Sequence, residues 1–431
     1  MDRIAYLKLV NWKNKKNRKP LIINGARQVG KTWLIKEFGR KEYENMAYIN
    51  CDEMPEIQNA FSDFDTARLI RFFSALTNTT INPEKTLIVL DEIQRVPIAL
   101  TSLKYFCENA ADYHIIVAGS LLGIGLHEGT GFPVGKVDEI NLHPLSFEEF
   151  LMALGKEALL KQIREHRWEE LYPLSQTLIE LLRQYYYVGG MPEVVLNYCQ
   201  TQDLLQVREI QQQILSDYKR DFSKHVPSEI LPKVNMVWDS VPAQLAKENK
   251  KFIYSSVKKG GRAKEFENAI QWLIDAGLLG KVCKVTKIEK PLKFYEDKES
   301  FKLFVVDLGL LGAMSEVSAK DVLVNNNAFT EYKGAFTEQF VYQEIHSLDQ
   351  KVYYYSKENS TLELDFLIQK EHLYPLEVKA EENLKSKSLK SVYDVDNTLK
   401  PCRFSMAGYK EQDWLVNVPL YATKEWIDNL E

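Results

Sequence analysis

Four unbroken apolar runs mark the first 150 residues: LIIN at 21–24, MAYINC at 46–51, TLIVLDE at 86–92 and HIIVAG at 114–119. Runs without polar alternation suit strands buried on both faces of a parallel sheet. Amphipathic stretches such as TARLIRFFSALTN lie between them. This alternation predicts an α/β domain over residues 1–150.

From about Pro144 to Gln200 the period becomes helical. SFEEFLMALG opens with Ser146 as N-cap and Glu149 three residues on, a capping box. In YYYVGGMPEVV, Gly189 and Gly190 end one helix and Pro192 starts the next. Residues 151–229 therefore read as a helical lid and linker, with the polar stretch SDYKRDFSKH, 216–225, as the linker. Over 230–325, the helix-like AKEFENAIQWLIDAGLL precedes two strand-like runs, KVCKVTKIEK and PLKFYED, a winged-helix order. Over 326–431 the pattern gives a helix from Ala335, a strand pair and another helix, a second α/β unit.

Composition narrows the classes. The chain has 431 residues and a net charge of −5, so any nucleic acid would be drawn by local patches rather than an overall basic field. The five cysteines are scattered with no C-x-x-C pair, which argues against a zinc or disulfide framework and fits a reducing cytoplasm. No run of eighteen uncharged apolar residues occurs, so no membrane span is expected. MDRIAYLKLVNWKNKKNRKP has no signal-peptide character.

Gly25-Ala26-Arg27-Gln28-Val29-Gly30-Lys31-Thr32 fits G-x-x-x-x-G-K-[ST] at every fixed position, directly after the strand LIIN and at the start of the helical TWLIKEFG. The glycines bring the backbone close to phosphates, and N–H groups at the helix N-terminus face the negative charge. Lys31 would reach the β- and γ-phosphates of ATP, and the Thr32 hydroxyl would bind Mg2+. TLIVLDE ends in Asp91 and Glu92. Placed on the strand beside the P-loop strand, Asp91 would join the metal shell and Glu92 would polarise the attacking water. Ser120, after HIIVAG, can contact the γ-phosphate and that water, or cap the following LLGIGL.

PLIINGARQVGKT, LIVLDEIQRVP, IIVAGSLLG and INLHPLSFEEFL together resemble the AAA-type ATPase family of bacteria and archaea, and YYYVGGMPEVV resembles the uncharacterised domain that usually follows that ATPase. The resemblance covers nearly the whole chain. It implies an AAA+-like P-loop ATPase, a winged-helix segment and a C-terminal restriction-endonuclease-like domain. Relatives often carry Gly-Arg before the LxPLSFxEF stretch where this chain has Gly135-Lys136. A lysine there keeps the charge and loses the planar fork, which leaves the arginine finger unidentified.

The C-terminal unit holds its own constellation. GAFTEQFVYQEI is a helical pattern carrying Glu338. TLELDFLI places Glu363 and Asp365 on one strand face. LYPLEVKA places Glu377 and Lys379 on one face of the next strand. Asp365-x11-Glu377-x-Lys379 with an upstream helical Glu resembles the PD-(D/E)xK nuclease core. In that reading Asp365 and Glu377 hold Mg2+, Glu338 stands in the outer shell, and Lys379 orients or deprotonates the water. An amphipathic hairpin with acids on its wet face gives the same pattern without chemistry, and this fold also serves as a DNA-binding platform without cleavage.

Between Lys247 and Lys264 lie Lys247, Lys250, Lys251, Lys258, Lys259, Arg262 and Lys264 against Glu248. Lys258, Lys259, Arg262 and Lys264 flank the recognition helix expected of a winged helix and are candidates for DNA phosphates. The bland alternative is a solvated helix face. A second basic run, Lys13 to Lys19, has the same two readings. The leading reading is an ATP-hydrolysing enzyme acting on DNA. Its rivals are a nucleotide-gated DNA- or protein-binding switch that cuts nothing, and a defence or signalling switch. The partners in view are ATP, DNA, and a second copy of the chain or another protein.

Overall fold

In a computed structural model, residues 2–120, 131–247, 250–323, 330–357, 360–380 and 385–431 are described. The LLGIGL stretch and Glu248 lie outside them. The chain folds as two compact units, one of residues 2–143 with 272–278, the other of 144–271 with 279–431.

The first unit is built on five parallel strands: β1 (Leu21–Asn24), β2 (Asn45–Asn50), β3 (Thr86–Asp91), β4 (His114–Ala118) and β5 (Asp138–Asn141). The four apolar runs of the sequence become β1 to β4, and every residue of β3 and β4 is buried, as a sheet covered on both faces requires, whereas the edge strand β5, DEIN, has no fully buried residue and no apolar run to mark it. Helices α1 (Ala5–Lys13), α2 (Lys31–Glu42), α3 (Thr66–Thr77) and α4 (Ile98–Asn109) belong to the same unit. Asp65 caps α3 by accepting from the Arg68 N–H, and Leu69 and Phe73 enter a core with Ile88, Leu90 and Phe106.

Strand order is β2-β3-β4-β1-β5. The expected neighbour relation is therefore corrected: β3 is not beside the P-loop strand, because β4 pairs with both. Asp91 reaches the P-loop from two strands away, past the C-terminal end of β4.

The second unit begins with α5 (Phe147–Ala153), whose capping box is formed in both directions: the Glu149 N–H donates to Ser146 Oγ and the Ser146 N–H to Glu149 Oε2. Then come α6 (Ser175–Val188), α7 (Pro192–Thr201), α8 (Leu204–His225), α9 (Leu231–Leu245), α10 (Tyr254–Val257) and α11 (Ala263–Asp275), the last crossing between units. The expected linker at 216–225 is instead the second half of α8. Leu215, Tyr218 and Phe222 recur at helical spacing and are buried, so the polar residues between them only line its outer face.

The Gly189–Gly190 turn between α6 and α7 is pinned from three sides. The Leu145 N–H donates to the Gly190 carbonyl at 2.7 Å, and the Gly190 N–H donates to buried Asp307 at 2.6 Å. Gln211 of α8 donates to the carbonyls of Tyr187 and Val188 at 2.8 and 3.0 Å. A Cβ on Gly190 would sit 2.1 Å from the Leu145 carbonyl oxygen, so glycine is required by proximity.

An eight-stranded mixed sheet completes this unit, in the order β12-β13-β11-β10-β9-β8-β6-β7. Its strands are β6 (Leu279–Val285), β7 (Glu296–Val305), β8 (Val352–Ser356), β9 (Glu363–Gln369), β10 (Leu373–Val378), β11 (Cys402–Ser405), β12 (Lys410–Glu411) and β13 (Val416–Pro419). Two expectations change. PLKFYED forms a short turn at Leu292–Tyr295 and the strand starts at Glu296, because Pro291 lacks a ladder donor and the Leu292 N–H is taken by the Gln369 side chain at 2.7 Å. The hairpin β6–β7 is not a free wing, since β6 also pairs in parallel with β8. Around the centre, α13 (Thr330–Ser347), β8, β9, β10, α14 (Lys387–Val395) and β11 follow one another, with α12 (Leu308–Met314) before them. Strands β8–β9–β10 are antiparallel and β11 is parallel to β10. The pattern of strand β8, VYYYS, does not separate it from the preceding helix.

Candidate nucleotide site and a second acidic cluster

The P-loop follows β1 and closes on α2. Gly30, with φ of 93°, is the N-cap of α2, and Gly25 leaves no room for a side chain: a Cβ there would lie 2.3 Å from the Leu142 carbonyl oxygen. Arg3, two residues before α1, fastens the loop, donating to the Val29 carbonyl at 2.9 Å and to the His143 carbonyl at 2.6 Å. Val29 and Ala26 are buried and Arg27 is exposed. Lys31 is folded back on its own loop, its Nζ donating to the carbonyls of Gly25 at 2.9 Å and Ala26 at 2.7 Å. Burial lowers the Lys31 ammonium to about 8, against the opposing pull of Glu92 and Asp91.

Asp91 is 2 % exposed and accepts from three donors. The Thr32 hydroxyl and the Tyr48 hydroxyl each reach its Oδ2 at 2.7 Å, and the Glu92 N–H reaches Oδ1 at 3.0 Å. Thr32 and Asp91, a hydroxyl and a carboxylate in contact at a helix start, form an all-oxygen set suited to Mg2+. Glu92 stands in the left-handed region, φ 53°, a conformation that costs about 1–3 kcal/mol and concentrates at functional positions. Gln94 donates to its Oε2. Ser120 lies two residues past the C-terminal end of β4, the central strand between β3 and β1, and is half-buried. Lys136 is held by Glu108 of α4 at 2.9 Å.

Sequence reading missed Tyr48 and Arg3. Tyr48 occupies a polar-facing position of MAYINC, the one signal that could have marked it. Burial, then the Asp91 carboxylate, pushes its phenol upward, so it stays a donor.

The C-terminal candidates are brought together differently from one another. Asp365 on β9 and Glu377 on β10 occupy adjacent antiparallel strands, and Asp365 Oδ2 accepts from the Val378 N–H at 2.7 Å. Lys379 pairs with Glu377 at 2.7 Å. Glu338, on α13, is buried and paired with Lys250, and lies 3.6 Å from Lys302 on β7. Lys302 also pairs with Glu363 at 2.8 Å. Burial opposes ionisation of Glu338, but Lys250 and Lys302 outweigh it and hold its carboxyl low. Burial and then the Glu338 charge raise Asp365. Among the described residues no three His, Cys, Asp or Glu side chains are grouped to hold a metal ion. Lys250 thus leaves the basic cluster in which the sequence put it. Lys302 was legible in principle, as the one basic residue of the apolar run FKLFVV.

Lys258, Lys259, Arg262 and Lys264 are all at or near the surface around the start of α11. Lys258 pairs with Glu265 at 3.2 Å.

Residues 17–151 match a family model described as an AAA domain. Residues 179–321 and 333–421 match two models described as domains of unknown function, DUF8612 and DUF4143. The chain thus carries an AAA-type P-loop ATPase domain, a family that implies ATP hydrolysis, ahead of two uncharacterised domains. No curated protein matches it. Among solved structures, the Walker-type ATPase PABY2304 of Pyrococcus abyssi is similar at 14 % identity over 73 % of this chain and 95 % of that one, with a TM-score of 0.46. The Orc1 protein of Aeropyrum pernix, solved in complex with DNA, matches at 14 % identity over 73 % and 90 %, TM-score 0.30. The Thermotoga maritima RuvB Holliday junction branch migration motor matches at 14 % over 65 % and 89 %, TM-score 0.27. No helix of the described residues is long and apolar enough to cross a membrane.

Proposed function

We propose that this chain is a Mg2+-dependent ATPase that acts on DNA. The observation that carries the reading is the approach of Thr32, at the start of α2, to Asp91, at the end of β3, at 2.7 Å, although β3 does not pair with the strand β1 that leads into the loop. A hydroxyl at a P-loop helix start and a buried strand-end carboxylate share one point where a metal-bound triphosphate would lie. Thr32 and Asp91 would hold Mg2+, which neutralises charge on the β- and γ-phosphates. Lys31 leaves the Gly25 and Ala26 carbonyls to meet those phosphates. Glu92 orients the attacking water, with Gln94 steadying its carboxylate, and Ser120 faces the γ-phosphate.

The DNA part rests on the basic residues at the start of α11. Lys258, Lys259, Arg262 and Lys264 are exposed around the positive end of α11, where Glu265 answers Lys258 and the other three could meet DNA phosphates. Helices α9 to α11 followed by β6–β7 keep a winged-helix order. Turnover measured with and without duplex DNA tests both parts. Hydrolysis absent in Lys31→Ala and slowed in Glu92→Gln supports the site, and hydrolysis surviving in Lys31→Ala overturns it.

A second reading is a nucleotide-gated DNA- or protein-binding switch that cuts nothing: the order α13-β8-β9-β10-α14-β11 with Glu338, Asp365, Glu377 and Lys379 resembles the PD-(D/E)xK pattern, an arrangement that also serves as a DNA-binding platform without cleavage.

A further inference from the structure

A metal-dependent nuclease needs carboxylate oxygens that converge and are free to bind a hard cation. The residues present do not fit that demand. Glu338 faces Lys250 with one oxygen and Lys302 with the other. Asp365 Oδ2 is taken by the Val378 N–H and Glu377 Oε1 by Lys379, while Glu377 Oε2 and Glu338 Oε2 are buried without a hydrogen-bond partner, the latter with the Lys302 ammonium 3.6 Å away. An arriving divalent ion would meet two ammonium groups already in place.

Those ammonium groups are not surface charges that strayed inward. Lys302 has a side chain 0 % exposed and Lys250 one 11 % exposed. Lys302 sits within β7, where Ser300 to Val305 are all buried, and stands 5.0 Å from the Tyr354 ring. Burying an ammonium is costly unless carboxylates answer it, and Glu338 and Glu363 do so from a helix and a strand of different sequence neighbourhoods. Glu338 and Glu363 answer Lys250 and Lys302, and Asp365 is a third carboxyl of the same cluster, raised by burial and by the Glu338 charge.

We propose that this acidic cluster is a cation site filled by the chain's own lysines, Lys250 and Lys302, in place of a divalent metal. The C-terminal domain then keeps the nuclease-like arrangement of elements without metal-dependent cleavage. Lys250 is the removable half of the plug, because it comes from the segment between α9 and α10, whereas Lys302 is locked in the sheet. Taking away Lys250 should convert the cluster into a site for a small hard divalent cation such as Mn2+ or Mg2+, with Glu338 and Asp365 as ligands. The proposal does not depend on the ATPase reading.

The test uses the full chain, nucleotide-free and carrying Asp91→Asn to blank the first unit's oxygen pair, titrated with Mn2+ by calorimetry and by the loss of free-Mn2+ paramagnetic signal. The parent should show no Mn2+ site that depends on Asp365. Adding Lys250→Met should create one site at least tenfold tighter than any in the parent. Lys250→Arg, which keeps the charge, should not create it, and Lys250→Met with Asp365→Asn should lose it. A parent that binds Mn2+ at a site abolished by Asp365→Asn overturns the proposal, and this arm stands even where the Lys250 variant fails to fold. A Lys250→Met protein that melts like its parent yet gains no site overturns it equally. ATP turnover of the unmodified chain, measured separately, reports on the P-loop reading alone.

Discussion

The lowered ammonium of Lys31 gives nucleotide binding a specific pH dependence. In the free protein burial holds this group at about 8, and its two hydrogen bonds go to carbonyls of its own loop. Bound phosphates add negative charge at close range and raise it, so the bound form is protonated throughout the range where the free form titrates. Below pH 8 both forms carry the proton and affinity is flat. Above pH 8 binding must take up a proton, and affinity falls as pH rises. From pH 7 to pH 9 the fraction of free protein already protonated drops from about 0.9 to about 0.1, so the dissociation constant should weaken about tenfold, or about 1.4 kcal/mol. Titration with a fluorescent ATP analogue at constant Mg2+ measures this. Calorimetry in buffers of different ionisation enthalpy should show about 0.9 proton taken up at pH 9 and about 0.1 at pH 7. Lys31→Arg, which stays charged, should bind with a flat profile whatever its affinity. A wild-type dissociation constant unchanged to pH 9, or the same slope in Lys31→Arg, refutes the reasoning.

Glu92→Gln should retain nucleotide affinity and lower turnover by about 100-fold or more, checked by binding and phosphate release side by side. Replacing Lys258, Lys259 and Arg262 by Ala should flatten the slope of log K against log salt by about 0.9 for each DNA phosphate no longer engaged, and an unchanged slope moves the DNA surface elsewhere. Gly190→Ala forces a Cβ against the Leu145 backbone and should cost about 3 kcal/mol, visible as a lower melting temperature with ATP turnover judged only on the folded fraction.

What could be read in advance was whatever chemistry is local in the chain. The eight residues of the P-loop, the strand-end Asp91–Glu92 and the Ser146–Glu149 capping box each depend on spacings of a few residues. Pairings across long separations were hidden. Insertion of β4 between β1 and β3 leaves no trace in either strand's composition, because all three have the same apolar centre with a polar residue only at an end. The lysines that answer Glu338 come from 88 and 36 residues away along the chain, so Lys250 looked like one more member of a basic surface. Polarity misled at 216–225, where a helix with one buried stripe shows mostly its wet face.

The first unit is not continuous in sequence, and this orders its biogenesis. Residues 272–278 belong to it, and at Gly277, with φ of 72°, an added Cβ would lie 3.2 Å from the Ala26 nitrogen of the P-loop. A ribosome that has finished residue 143 must add 135 more before that strip emerges, a wait of roughly 7–27 s at ordinary elongation rates. Until then the part of the first unit beside the Ala26 nitrogen is incomplete. A piece cut after residue 150 lacks that strip and should melt at a lower temperature than one that extends through Leu278.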